Sequence, residues 1–159
     1  MLIPLRIFLA AGWARAGIEK VITPSWWDGG DLQTFLVAQH HDALPFFRPV
    51  MEHALAPMAI PVAWFVLLAQ LTCGVLIALG RKLHLALGLA FLMNITFILA
   101  GRVNPSAFYL IMQLVLVFAI ADGALGERPT IPSQLTFAIA GLSGLMAATV
   151  MLFARTIQP

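Results

Sequence analysis

Arg15 and Glu19 stand four residues apart in an otherwise apolar run, and Lys20 follows directly. On a helix that spacing puts the first two on one face, where they can pair. Charges within a membrane span are costly and usually face a bundle interior or a watery cavity. Two readings follow. Arg15–Glu19 is either a neutralised pair that orients its helix, with Arg6 and Lys20 snorkelling to opposite interfaces, or one wall of a polar pocket near a membrane face. Such a pocket could take a carbonyl-bearing headgroup or an anion, with Glu19 as a proton carrier.

Three later apolar runs each carry one amide: Gln70, Asn94 and Gln113. An amide in hydrocarbon needs a partner, so these are expected to point inward, either as interhelical hydrogen bonds or as an extension of the first-run polar group. Tyr109 lies one turn before Gln113 on the same face and would lengthen that track. Four helices each giving a polar group to one interior make the best candidate site.

The histidines are less specific. His40, His41 and His53 lie near Asp42 and Glu52 and could gather round a metal, but their spacing matches no metal motif, and solvated side chains are the simpler reading. His84 sits at a span entrance, so no histidine is placed for a b-type haem. Cys73 is the one cysteine, which excludes an internal disulfide and a cysteine cage; it reads as an inert buried thiol. There is no Gly-rich phosphate loop, no Ser–His–Asp arrangement and no CxxC, so the sequence shows no self-contained hydrolytic or redox chemistry and implies no intrinsic cofactor.

The elements that must position these groups are set by solvent. Of 159 residues, 61% are apolar and 10% charged, with a mean hydropathy of +0.94. A soluble domain carries about 25% charged residues, so this chain is expected to sit in a lipid bilayer as a single domain. The net charge of +2 and the absence of a basic run argue against nucleic acid. Five windows approach the ~20 apolar residues that a bilayer-crossing helix needs: 2–23, 58–80, 83–101, 106–121 and 134–154. The first reads as a retained span, since it lacks a basic stretch ahead of its apolar run. None alternates apolar with polar, which argues against a barrel. The expected fold is therefore an all-α integral membrane bundle.

The segment 24–56 interrupts this pattern. Trp26 and Trp27 open it as an interfacial turn at headgroup depth. Asp31 is expected to cap a short helix over 32–43 that ends before Pro45 and Pro49. Phe35, Phe46 and Phe47 need burial, so the segment reads as a lid lying on the membrane surface. In the fifth window Ala140, Gly144 and Ala148 form a small-residue stripe suited either to internal packing or, like the tryptophans, to contact with another subunit. Basic residues divide almost evenly between the two sides; the tight Arg81-Lys82 turn favours a cytoplasmic N-terminus, in a cell (inner) membrane.

Three motifs in order carry a family resemblance. The first run reads Arg6-x10-Gly17-x2-Lys20, with Trp13 between and Thr23-Pro24 after; the second reads Gln70-x3-Gly74-x4-Leu79-Gly80-Arg81. The third reads Met93-Asn94-x2-Phe97-x2-Ala100-Gly101-x2-Asn104-Pro105. Over roughly residues 6–125 this resembles the DoxX family of integral membrane proteins. The resemblance implies a four-helix membrane core and a link to quinone-coupled redox systems, because the family includes a subunit of a thiosulfate:quinone oxidoreductase. Gln70 departs from the family's usual Glu, which puts proton transfer there in doubt. The fifth span and the 26–52 loop lie outside the minimal core. The expected function is an accessory subunit of a larger electron-transfer membrane complex that contacts quinone; a quinone-reducing subunit acting on a small sulfur compound, or a small transporter, are the alternatives.

Overall fold

A computed structural model of the chain describes residues 2–103 and 105–121, and these are all-helical, with no strand among them. The windows at 134–154, with Ala140, Gly144 and Ala148, lie outside the described residues. Four long helices form the body: α1 (Ile3–Val21), α5 (Ala59–Leu79), α6 (Leu83–Leu99) and α7 (Ser106–Ala121). Between α1 and α5 lie α2 (Pro24–Trp27), α3 (Gly30–Gln39), α4 (Arg48–Val50) and a π-helical turn, Met51–Leu55.

The long helices run antiparallel in a ring, α1 against α5, α5 against α6, α6 against α7, and α7 back against α1. The α1–α5 contact is the most extensive, and Gly74 explains why. A Cβ there would lie 2.8 Å from the backbone nitrogen of Ala14, so only glycine lets the two backbones approach this closely. One end of the ring closes on itself. The Arg6 guanidinium lies against Gly80 at the end of α5, and Leu9, Cys73, Ile77, Leu83, Leu87 and Leu116 fill the space between. The Cys73 thiol donates to the Ala86 carbonyl at 3.4 Å.

The other end is covered by 24–56. Trp26 Nε1 donates to the Ala63 carbonyl of α5 at 2.9 Å, and the Leu44 amide donates to the Leu99 carbonyl of α6 at 3.0 Å. Gly101, at φ +91, lets the chain turn where a Cβ would strike the Asp42 backbone. Leu32, Leu36, Ala43 and Met51 form a separate small core with Ala59, Ala63 and Ala100. Arg48 braces the far turn through the carbonyls of Ala43 and His41, at 3.1 and 2.8 Å.

Several expectations about this lid need correcting. Its long helix is Gly30–Gln39, not 32–43, and its N-cap is Gly29 in the left-handed region, not Asp31. Asp31 sits in the first turn, where its carboxylate favours the positive helix end and accepts from Ser25 Oγ at 2.7 Å. The helix stops well before Pro45, because the chain turns at His40 to reach α6. Phe35 and Phe47 are packed, but Phe46 remains 68% exposed. Trp26 and Trp27 belong to a short helix rather than an open turn.

The span lengths also change. Among the described residues one helix, Ala59–Leu79, is long and apolar enough to cross a membrane, with 21 residues and a hydropathy of 2.3. Leu83–Leu99 and Ser106–Ile120 are apolar but shorter. The lid bond at Leu99 and the turn at Gly101 end α6 ahead of the expected boundary.

Candidate functional site

A cavity of about 360 Å³ opens between the four long helices, directly beneath the lid. Each helix supplies part of its wall. Trp13, Glu19 and Lys20 come from α1, Gln70 from α5, Asn94 and Phe97 from α6, and Ser106 and Tyr109 from α7, while Trp26, Leu32 and Phe35 close it from above.

Three buried side chains on this wall each hold one polar atom with no partner among the described residues. Trp13 is 2% exposed, Gln70 3% and Asn94 1%. Trp13 Nε1, Gln70 Oε1 and Asn94 Nδ2 make no hydrogen bond. A buried polar atom without a partner costs about 1–3 kcal/mol, and native folds keep few of them. Two of these atoms are donors and one is an acceptor, and all three side chains belong to residues that line the cavity.

Charge borders the same space. Lys20, half-buried, places its ammonium 4.6 Å from the centre of the Trp26 ring and donates to the Ala16 carbonyl at 3.3 Å. Arg102 lines the side beside α7. With Glu19 as the one carboxylate on the wall, the cavity favours a ligand rich in acceptors. The Trp13 and Tyr109 rings lie 6.0 Å apart at its floor, tilted by 36° to one another, and give that side an aromatic lining.

Of the residues expected from sequence, Glu19, Lys20, Gln70, Asn94 and Tyr109 are brought together. Arg15 and Gln113 are not on this wall. Arg15 pairs with Glu19 at 2.7 Å as its spacing predicts, but its side chain is 82% exposed, so Arg15 faces out of the bundle while Glu19 stands at the rim of the cavity. Gln113 is 2% exposed, with both amide atoms unpaired, deeper along α7. Trp26 turns inward onto the cavity, whereas Trp27 stays at the surface, donating to the Val21 carbonyl at 3.0 Å and meeting the Trp64 ring edge-on.

The histidines do not converge. His40 bonds Glu52 at 2.5 Å, His53 lies 3.9 Å from the same carboxylate and His41 is almost fully exposed. Among the described residues no group of three His, Cys, Asp or Glu side chains is placed to hold a metal.

Sequence reasoning missed Trp13, Trp26 and Arg102 as parts of the site. Trp13 had a signal: it stands seven residues before Lys20, two turns back on one helix face, with Ala16 between. Arg102 had none, because its place depends on how the turn after α6 meets the lid. No family model, curated protein or solved structure matches this chain.

Proposed function

We propose that this chain is a helical membrane protein that holds the head of a quinone-type molecule beneath its lid, as an accessory subunit of a larger quinone-linked electron-transfer complex. The observation that carries the reading is that three residues lining one cavity each hold a buried polar atom with no partner among the described residues. Quinone carbonyl oxygens only accept, and Trp13 Nε1 and Asn94 Nδ2 only donate. Lys20 and Arg102 add positive charge that would favour electron density building up on such oxygens. Gln70 Oε1 offers an acceptor for a hydroxyl head, so oxidised and reduced heads both find partners. A bound quinone would supply the electron-accepting chemistry; the residues here bind and orient it, and the lid keeps bulk water away.

Membrane insertion is supported by where the apolar side chains lie. Ile7, Phe8, Phe65, Leu68, Val75 and Leu92 all point outward and are more than half exposed, an arrangement that suits hydrocarbon and is costly in water. The 17 residues of α6 reach about 25 Å, short of a ~30 Å hydrocarbon core, so the bilayer would thin locally. With a cytoplasmic N-terminus, lid and cavity would face the opposite side of an inner membrane. The DoxX resemblance points the same way. A chain that itself reduces quinone with a sulfur compound would use Arg15 beside Glu19 and Lys20, and Arg15 is turned away from the cavity.

Purification from native membranes in mild detergent tests the proposal. A redox protein and a quinone should accompany the chain. Recovery of the chain alone, free of both, would remove the reading.

A further inference from the structure

Behind the polar cavity lies a second pocket of about 250 Å³. The two share the side chains of Leu32, Phe35, Val66 and Phe97 as a common wall. The second pocket is otherwise apolar apart from Thr96, whose hydroxyl is already bonded to the Leu92 carbonyl at 2.9 Å. It runs from beneath the lid to the groove between α5 and α6, where Phe65 and Leu92 stand 53% and 56% exposed on the outer surface.

We propose that this pocket holds the hydrocarbon tail of the same molecule whose head lies in the polar cavity. The chain would thus select a head-and-tail amphiphile over a small water-soluble compound. The inference rests on the head-binding reading above and adds the ligand's class and its route. A polar chamber and an apolar one on either side of four shared side chains match an acceptor-bearing head with an attached chain. A methylene needs about the volume of a water, ~30 Å³, so the pocket has room for roughly eight of them. The opening between α5 and α6 faces where the proposed bilayer lies, so the remainder of a longer tail passes into lipid. The ligand enters sideways between these helices, not through the lid, which is hydrogen-bonded to both α5 and α6.

Photolabelling in lipid nanodiscs separates the two proposals. One probe is a benzoquinone with a decyl tail bearing a mid-chain diazirine; the other is a tail-less benzoquinone with the diazirine on the ring. The tailed probe should label residues 62–66 and 92–100, and excess unlabelled decyl-benzoquinone should compete it away. Thr96→Phe narrows the pocket from α6. It should cut that labelling at least about tenfold, since each buried methylene is worth about fourfold in affinity, and it should leave the tail-less probe's labelling of the cavity intact. Val62→Phe narrows the pocket from α5 and decides the matter if Thr96→Phe does not fold. Tail labelling spread over the outer faces of α1, α5 and α6, or indifferent to both variants, overturns the tail site while the head reading stands. Failure of both probes to label the cavity in a competable way overturns both.

Discussion

The two ends of the bundle are made from the same four helices and follow different packing rules. At the closed end Leu9, Cys73, Ile77 and Leu116 are fully buried, and Gly74 brings two backbones together with no space for a Cβ. At the lid end the same helices part to leave a cavity walled by Trp13, Gln70 and Asn94, each with one polar atom that has no partner among the described residues. Gln113 is the exception, an unpaired buried amide that lies off this wall. The contrast separates two tasks along the helix axes. Dense contact at one end holds the bundle, which lets the other end keep polar groups that would otherwise be selected against.

The largest effect should come from breaking the closed end. Gly74→Leu drives a side chain into the α1 backbone and should destabilise the fold by about 3 kcal/mol, the upper range for overpacking. Thermal unfolding in detergent reads this directly; an unchanged midpoint would mean that α1 and α5 are not in close contact. The lid end should respond in the opposite sense. Asn94→Leu keeps a similar volume and removes an amide whose Nδ2 has no partner among the described residues, so stability should hold or rise by up to about 1 kcal/mol. Binding of a tail-less benzoquinone should nevertheless weaken about tenfold, the equivalent of one lost hydrogen bond. A drop in stability with unchanged binding would show Asn94 to be a structural group and would collapse the distinction between the ends.

This division was only partly legible in the sequence. The four long helices up to residue 121, and their order, followed from apolar runs, because hydrophobic length is a local property. Gln70, Asn94 and Gln113 are buried, as expected for single amides set in apolar runs. Arg15 did not follow. Its spacing to Glu19 fixed the pair but not the face, since the face depends on how Gly17 and Gly74 rotate α1 against α5. The lid was read as a cover, yet its helix boundaries were misplaced because they are set by contacts with Ala63 and Leu99, far away in the sequence. Trp13 was visible in the motif but not as a wall residue, a consequence of treating α1 as a row of charges rather than a helix with faces.

A smaller effect should come from loosening the lid alone. Trp26→Phe keeps an aromatic ring beside Lys20 but removes the hydrogen bond to the Ala63 carbonyl. The loss should be about 1 kcal/mol, the net value of one such bond, and it should be local. Hydrogen exchange across 24–56 should quicken while the amides of α5 around Cys73 keep their protection. Equal acceleration in both places would mean that lid and closed end unfold as one unit.

The smallest effect should come from Arg15. Among the described residues its guanidinium hydrogen-bonds Glu19, and exposed pairs of this kind contribute little to folding. Lys20, five residues on, faces the cavity from the same helix. Arg15→Gln should therefore leave both the unfolding midpoint and benzoquinone binding where they were, whereas Lys20→Gln should weaken binding with little change in stability. The two substitutions remove the same formal charge from neighbouring turns, so bulk electrostatics predicts equal outcomes and the cavity predicts unequal ones. If Arg15→Gln weakened binding as much as Lys20→Gln, the ligand would be sensing the net charge of α1. The wall built by Trp13, Lys20 and Asn94 would then not be what recognises it.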